Sequence, residues 1–282
     1  MKLLITHQKN KYFITLIKIL QGYIQEYIQS NSKSISIVIP AYNEEKRIKP
    51  VLEEICHYIK SNKVPWNIIV SIDGTDGTEN VVKELIENNP FLKYIKGKGR
   101  GGKGAAIKKA IELSSGEFTL LMDADGSISL KDIVKFTDYL TIHDVILFDR
   151  YSLEKNLIPL HRRIPSRGFN ILVKVMLGVR AEDTQCGYKI VKTEYLRAAF
   201  EKISFSNAFF DVAMIYYLKK SGANIKEIPV EYKHSDASKF SVLGLVLGQG
   251  ISLFGFRLRN SPFWKYVPKN IVRLYYRKFR WI

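Results

Sequence analysis

The segment Leu120-Leu121-Met122-Asp123-Ala124-Asp125-Gly126 joins an apolar, strand-like run to two carboxylates one residue apart. Two acids on one short turn repel each other and raise each other's pKa, so a cation stabilises such a pair. Mg²⁺ or Mn²⁺ suits it, because these ions take one or two protein carboxylates and complete their shell with water and phosphate oxygens. Taken alone, the pair also fits a solvated turn. Upstream lies Gly97-Lys98-Gly99-Arg100-Gly101-Gly102-Lys103-Gly104, and glycines of this kind let backbone amides approach a phosphate at a helix start. A Walker loop would need Ser or Thr after Lys103, where Gly104 stands. A dinucleotide fingerprint is matched by Gly97, Gly99 and Gly102, with Asp123 about 20 residues on, where a ribose-binding acid belongs. That motif normally follows the first strand of its unit. Here two strand–helix units precede it, and Asp125 would have no role. A nucleoside diphosphate-sugar uses every piece: Pro40, Ala41, Tyr42, Asn43, Glu44 and Asp73 line a recess for base and ribose, Asp123 and Asp125 hold a metal, and Lys103 reaches phosphate.

The elements that must position these residues alternate. β-rich runs fall at 35–39, 67–72, 92–95, 118–122 and 144–148. Helical patterns lie between them at 44–59, 78–88, 103–113 and 130–140. Such βα alternation implies a mainly parallel sheet covered by helices, with ligands at the carboxyl ends of strands. The polar segments 40–45, 73–78 and 123–125 stand at those ends. Beyond Asp149 an Arg-rich connection leads to a helix near 165–177, a strand at 188–191, helices at 194–200 and 208–219, and a strand at 225–230. This half continues the first and closes over its site.

The 282 residues, 46% of them apolar, allow one large α/β domain with appendages and exclude whole-chain disorder. Cys56 and Cys186 form neither a metal nor a paired spacing, which points to a reducing compartment, and the early charges of the first residues do not read as a secretory signal. The net charge is +17, and the eight Lys or Arg of residues 257–282 account for all but +9 of it. That tail interleaves its cations with aromatics, a pattern shared by membrane surfaces and single-stranded nucleic acid. Two other segments favour lipid. Residues 12–28 carry one apolar stripe at helical spacing, an amphipathic helix for a membrane surface or for the protein's own core. Residues 240–256 hold no charge, yet four glycines, two serines and Gln249 dilute them, which suits a helix lying in or re-entering the interface better than a span. The expected organisation is an amphipathic helix over 1–33, a catalytic domain over 34–239, and a membrane-interface helix with basic aromatic tail over 240–282. A non-catalytic adaptor for nucleic acid or membrane is the rival class, resting on charge alone.

Ile37-Val38-Ile39-Pro40-Ala41-Tyr42-Asn43-Glu44-Glu45, then Asp73-Gly74-Thr75-Asp76-Gly77-Thr78, Gly102-Lys103-Gly104 and Asp123-Ala124-Asp125, in this order, resemble the family 2 inverting glycosyltransferases of the GT-A fold. Within that family the chain is most similar to the dolichyl-phosphate β-glucosyltransferases. Arg162-Arg163, Ser166-Arg167-Gly168-Phe169-Asn170, Asp183-Thr184-Gln185-Cys186-Gly187-Tyr188-Lys189, Phe210-Asp211-Val212 and Ile228-Pro229-Val230 carry that likeness. The resemblance implies a Rossmann-like, mainly parallel sheet with flanking helices, a Mg²⁺ or Mn²⁺ cofactor, a hexose donor and a polyprenyl (dolichyl) phosphate acceptor. Mannosyl relatives more often place Leu-Gln after the second aspartate, whereas Gly126-Ser127 stands here and favours UDP-glucose over GDP-mannose. Two departures stand out: the 71–76 run is about one residue shorter than the family's double-aspartate form, and Ala213 stands where the family often has Glu.

Carried onto this chain, the family's pattern makes Arg150, Arg162, Ser166 and Lys239 the acceptor-phosphate residues. It also makes Asp125, Asp211 and Arg150 the catalytic ones, with Asp211 orienting the sugar or receiving a proton. A phosphate monoester is largely dianionic near neutral pH, its second pKa being about 6, so it attacks without a strong base. The enzyme then supplies placement and charge compensation. The expected setting is the cytoplasmic face of the cell membrane or of an endoplasmic reticulum-type membrane, peripheral or monotopic, with no nucleic-acid partner.

Overall fold

The computed structural model describes residues 33–97, 99, 101–154, 156, 158–203, 207–233, 242–268 and 270. The amphipathic helix expected over 12–28, Lys239 and the end of the basic tail lie outside these residues.

Seven strands form one sheet: β1 (Ile35–Tyr42), β2 (Trp66–Asp73), β3 (Leu92–Lys96), β4 (Phe118–Leu121), β5 (Val145–Asp149), β6 (Lys189–Lys192) and β7 (Ile225–Pro229). Their order is β3-β2-β1-β4-β6-β5-β7. The β3-β2-β1-β4 half is parallel, as is β5–β7, while β6 runs antiparallel to both its neighbours. The helices are α1 (Ile48–Asn62), α2 (Thr78–Ile86), α3 (Lys103–Glu112), α4 (Leu130–Val134), α5 (Leu160–Leu177), α6 (Thr193–Lys202), α7 (Phe210–Lys220) and α8 (Val242–Arg259).

Successive strand residues point to opposite faces, and both faces here are apolar. Ile35, Ile37 and Ile39 of β1, Ile68 and Val70 of β2 and Leu120 of β4 pack with Leu52 and Ile55 of α1 on one side. Val38, Ile69 and Leu121 pack with Ile107 and Ile111 of α3, and with Phe210 and Met214 of α7, on the other. A sheet buried on both faces has near-continuous apolar strands, which is why β1 reads Ile-Ser-Ile-Val-Ile.

Two differences from the sequence reading have local causes. The helix expected from residue 44 starts at Ile48, because the Glu44 carbonyl accepts the amides of Arg47 and Ile48 and closes a turn first. The single helix expected over 130–140 is α4 followed by a 3-10 turn, Thr137–Thr141, because the Thr137 hydroxyl bonds the Val134 carbonyl at 2.8 Å and ends the α-helical ladder. The apolar run near 240–256 belongs to α8, which packs against α5. Among the described residues no helix is long and apolar enough to cross a membrane.

Candidate active site

The parallel strands β1, β2 and β4 end on one edge, and their register sets the site. Tyr42 pairs with Asp73 across β1 and β2, and the Met122 amide bonds the Val38 carbonyl beside them. The expected recess residues therefore line one edge. Ala41 is buried, Pro40 partly so, and Tyr42 and Asn43 are exposed. Asn43, in the left-handed region at φ 56°, accepts the Thr75 amide on its Oδ1 at 2.9 Å and ties the β1 loop to the β2 loop. Asp73 is buried, and its Oδ2 accepts the Gly101 amide of the glycine-rich loop at 3.4 Å. A Cβ on Gly97 would stand 1.6 Å from Asp73 Oδ1, so that loop crosses the carboxylate at a distance only glycine allows.

Lys103, the first residue of α3, sends its Nζ to Asp123 Oδ1 at 2.5 Å. Burial would push the Asp123 carboxyl up, but Lys103, helped by Arg150 and Lys189, outweighs it and holds the carboxyl below its usual range. Burial would likewise lower the Lys103 ammonium, and Asp123 with Asp211 raises it instead, so both partners stay charged. Asp125 accepts the Ser127 amide on Oδ1 at 3.0 Å. Gly126, at φ 65°, turns the chain between them. Glu44 feels both acids: burial raises its carboxyl, Arg47 opposes that, and Asp125 and Asp123 add to the rise.

Two carboxylates, one already holding a lysine, do not make a closed metal cage, and no group of three metal-ligating side chains occurs among the described residues. They fit a divalent ion that draws its remaining ligands from water and a diphosphate.

Further along the sheet, past β6, β5 ends at Asp149, which caps the next turn by accepting the Tyr151 amide at 2.7 Å. This turn aims Arg150 inward. Its guanidinium grips Asp183 through two bonds, Nε to Oδ2 at 2.7 Å and Nη2 to Oδ1 at 3.0 Å, and lies 5.5 Å from the Tyr151 ring and 5.4 Å from the Tyr232 ring. Tyr151 donates its hydroxyl to Ser166 of α5 at 2.8 Å, so Arg150 and Ser166 share one neighbour. Arg162, one turn earlier on α5, has an enclosed Nε with no partner. Asp211, in the first turn of α7, is buried and pairs with Lys189 Nζ at 2.6 Å. The antiparallel β6 begins at Lys189, opposite Leu121, and so brings that lysine behind Asp123.

The structure thus gathers the recess, Lys103, Asp123, Asp125, Arg150, Ser166 and Asp211 at one edge. Asp183 and Lys189 belonged to quoted motifs without a role, and Tyr151 and Tyr232 carried no sequence signal. Pairing of buried ions across β4, β5, β6 and α7 is a tertiary fact. Neither cysteine is a nucleophile: burial pushes the Cys56 thiol up to about 11 and the Cys186 thiol up to about 12.

A family model described as glycosyl transferase family 2 matches residues 36–200. A dolichyl-phosphate beta-glucosyltransferase of Trichomonas vaginalis is 31% identical over 225 residues, which cover 75% of this chain and 69% of that one. The dolichyl-phosphate beta-glucosyltransferase of Dictyostelium discoideum is 30% identical over 224 residues, 73% and 68% of the two chains. Glucosyl-3-phosphoglycerate synthase from Mycobacterium tuberculosis, solved with Mn²⁺, UDP and phosphoglyceric acid, superposes with a TM-score of 0.62 at 16% identity, over 83% of this chain and 81% of that one.

Proposed function

The chain belongs to glycosyl transferase family 2, and from that premise we propose that it moves glucose from UDP-glucose to a polyprenyl phosphate of the dolichyl type. The observation that carries this reading is that two charged clusters share one edge of the sheet, near enough for Arg150 to help hold Asp123 ionised. Asp123, Asp125 and Lys103 suit a metal-bound diphosphate, and Arg150, with Ser166 and Arg162 on α5, suits a phosphate monoester. The relatives' names carry the same acceptor and sugar.

In this reaction an oxygen of the acceptor phosphate forms a bond to the anomeric carbon of the sugar. The bond from that carbon to the diphosphate breaks on the opposite side, and its electron pair leaves with UDP. Configuration inverts. Pro40, Ala41, Tyr42, Asn43, Glu44 and Asp73 hold the nucleoside, and Lys103 orients the diphosphate. Asp125 and Asp123 would hold a Mg²⁺ or Mn²⁺ ion, which when bound would supply Lewis-acid stabilisation of the leaving group. Arg150 keeps the acceptor dianion in line, while Asp211, already charge-balanced by Lys189, faces the sugar side. The acceptor needs no general base because it arrives deprotonated.

The lipid tail calls for a membrane surface, and an exposed face of α5 beside the acceptor arginines suits contact with one. On α5, Leu160, Ile164, Ile171 and Val175 are exposed at helical spacing, with His161, Arg163, Arg167 and Lys174 among them. Phe254 of α8 and Phe263 extend the same apolar character. An exposed apolar stripe set among cations suits an anionic interface entered from the cytoplasmic side. Lys239, outside the described residues, would add a cation to the acceptor site.

The test offers UDP-glucose and GDP-mannose, each labelled in the sugar, to the purified enzyme with dolichyl phosphate and Mn²⁺. The reading expects label in the lipid phase from UDP-glucose. Label from GDP-mannose alone would replace it with a mannosyl transfer.

A further inference from the structure

Gln249 lies in the middle of α8, inside a seventeen-residue run without a charge, and is 3% exposed. A buried carboxamide costs free energy unless it is paired. Its Oε1 accepts Nε2 of Gln185 at 2.6 Å, while its own Nε2 is enclosed with no partner. An apolar side chain here would remove both the buried amide and the orphaned donor. Packing of α8 therefore gives no reason for a glutamine. That packing is carried by residues such as Phe256, whose ring meets Phe209 and Tyr216 edge-on.

The partner explains the residue better. Gln185 donates its backbone amide to Asp183 Oδ1 at 3.1 Å, and that same oxygen accepts Arg150 Nη2 at 3.0 Å. From the far side, Glu227 of β7 accepts the Asp183 amide at 3.1 Å and the Glu182 amide at 2.8 Å, fixing the loop to the sheet. The loop bearing Asp183 is thus held between a rigid strand and α8, and a continuous polar chain runs from Gln249 through Gln185 and Asp183 to Arg150.

We propose that Gln249 is a positioning residue for Arg150, coupling the seating of α8 to the geometry in which that guanidinium receives the anionic group of the acceptor. The proposal rests on the acceptor reading given above and adds to it a link between α8 and the acceptor side of the reaction. A residue acting this way changes how the acceptor binds and leaves the donor untouched.

The experiment uses the full chain in detergent, with Gln249→Leu, Gln185→Leu and the double variant. With UDP-glucose and dolichyl phosphate, each single change should raise the acceptor KM by about five-fold and leave the donor KM within about two-fold. The double variant should be no worse than either single, as expected for residues acting through one contact. Independently of turnover, the ¹⁵N–¹H resonance of Arg150 Nε, assigned with Arg150→Lys, should shift and exchange faster in Gln249→Leu. An unmoved Arg150 resonance, equal changes in both KM values, or additive effects would overturn the proposal. If the wild-type chain transfers no glucose to dolichyl phosphate, the acceptor reading falls, and the Arg150 resonance still decides whether the coupling exists. Should Gln249→Leu fail to fold, Gln185→Leu breaks the same contact from the loop.

Discussion

Among the described residues Asp125 accepts one hydrogen bond, from the Ser127 amide, and an asparagine Oδ1 can accept it equally well. Asp125→Asn should therefore fold with an unchanged melting temperature. Its kcat should fall by a factor on the order of 10²–10³, the cost of removing one preorganised electrostatic group, as read by transfer assay beside a thermal melt. Gly187 offers a second test. A Cβ there would stand 1.9 Å from Asp123 Oδ2, and the displaced atom is a carboxylate already fixed by Lys103. Gly187→Ala should weaken UDP binding in the presence of Mn²⁺ by about ten-fold or more by calorimetry, since one lost charge-assisted contact is worth about 1.5–3 kcal/mol. That Asp123, Asp125 and Lys103 come together was legible in the sequence, because a turn after a parallel strand and the start of the preceding helix both fall at the carboxyl edge of the sheet. Lys189 was not, since a lysine at the start of a strand reads as surface until α7 brings Asp211 to 2.6 Å from it. Ala213 is fully buried in the core on the α3–α7 face of the sheet, so this position is given to packing.

At the scale of elements, β6 and the 182–187 loop do the most to assemble the site, and Glu227 is the group that pins the loop. Burial pushes its carboxyl up to about 7, the amides of Asp183 and Glu182 pull the other way, and Asp149 and Glu182 add to the rise. Its folded pKa thus stands above the unfolded value of 4.5. The folded chain keeps a proton that the unfolded chain loses, and stability from this group falls as pH rises from about 4.5 to about 7. Glu227→Gln retains an oxygen for both amides and abolishes the titration. Its melting temperature relative to wild type should therefore improve between pH 5 and pH 8, which calorimetry at the two pH values would show. The βα units of the first half were readable because each strand and helix has its own period. The antiparallel β6 between β4 and β5 was not, because its four residues carry no signal of direction. The 3-10 turn after α4 escaped for a similar reason: the apolar period runs on through Thr137, and only the hydroxyl bond to Val134 interrupts the ladder.

For the whole molecule, charge and apolar surface have to be read together. The +17 charge alone fits nucleic acid as well as lipid, but the exposed stripe of α5 carries aliphatic side chains rather than the stacked aromatics that single strands require. Ile164→Asp combined with Ile171→Asp should weaken binding to anionic liposomes by about a hundred-fold or more, as read by sedimentation, each buried aliphatic side chain being worth about 1.5–3 kcal/mol. UDP affinity should be unaffected. The stripe was hidden in the sequence because Leu160, Ile164, Ile171 and Val175 resemble a core-facing face until the fold buries Phe169 and Val173 instead. Attack of the acceptor phosphate on the anomeric carbon is read out by a double-label transfer. UDP-glucose labelled with ¹⁴C in the sugar and ³²P in the β-phosphate is incubated with the enzyme, dolichyl phosphate and Mn²⁺. The extracted lipid should carry ¹⁴C without ³²P. Both labels travelling together, or neither entering the lipid, would contradict it.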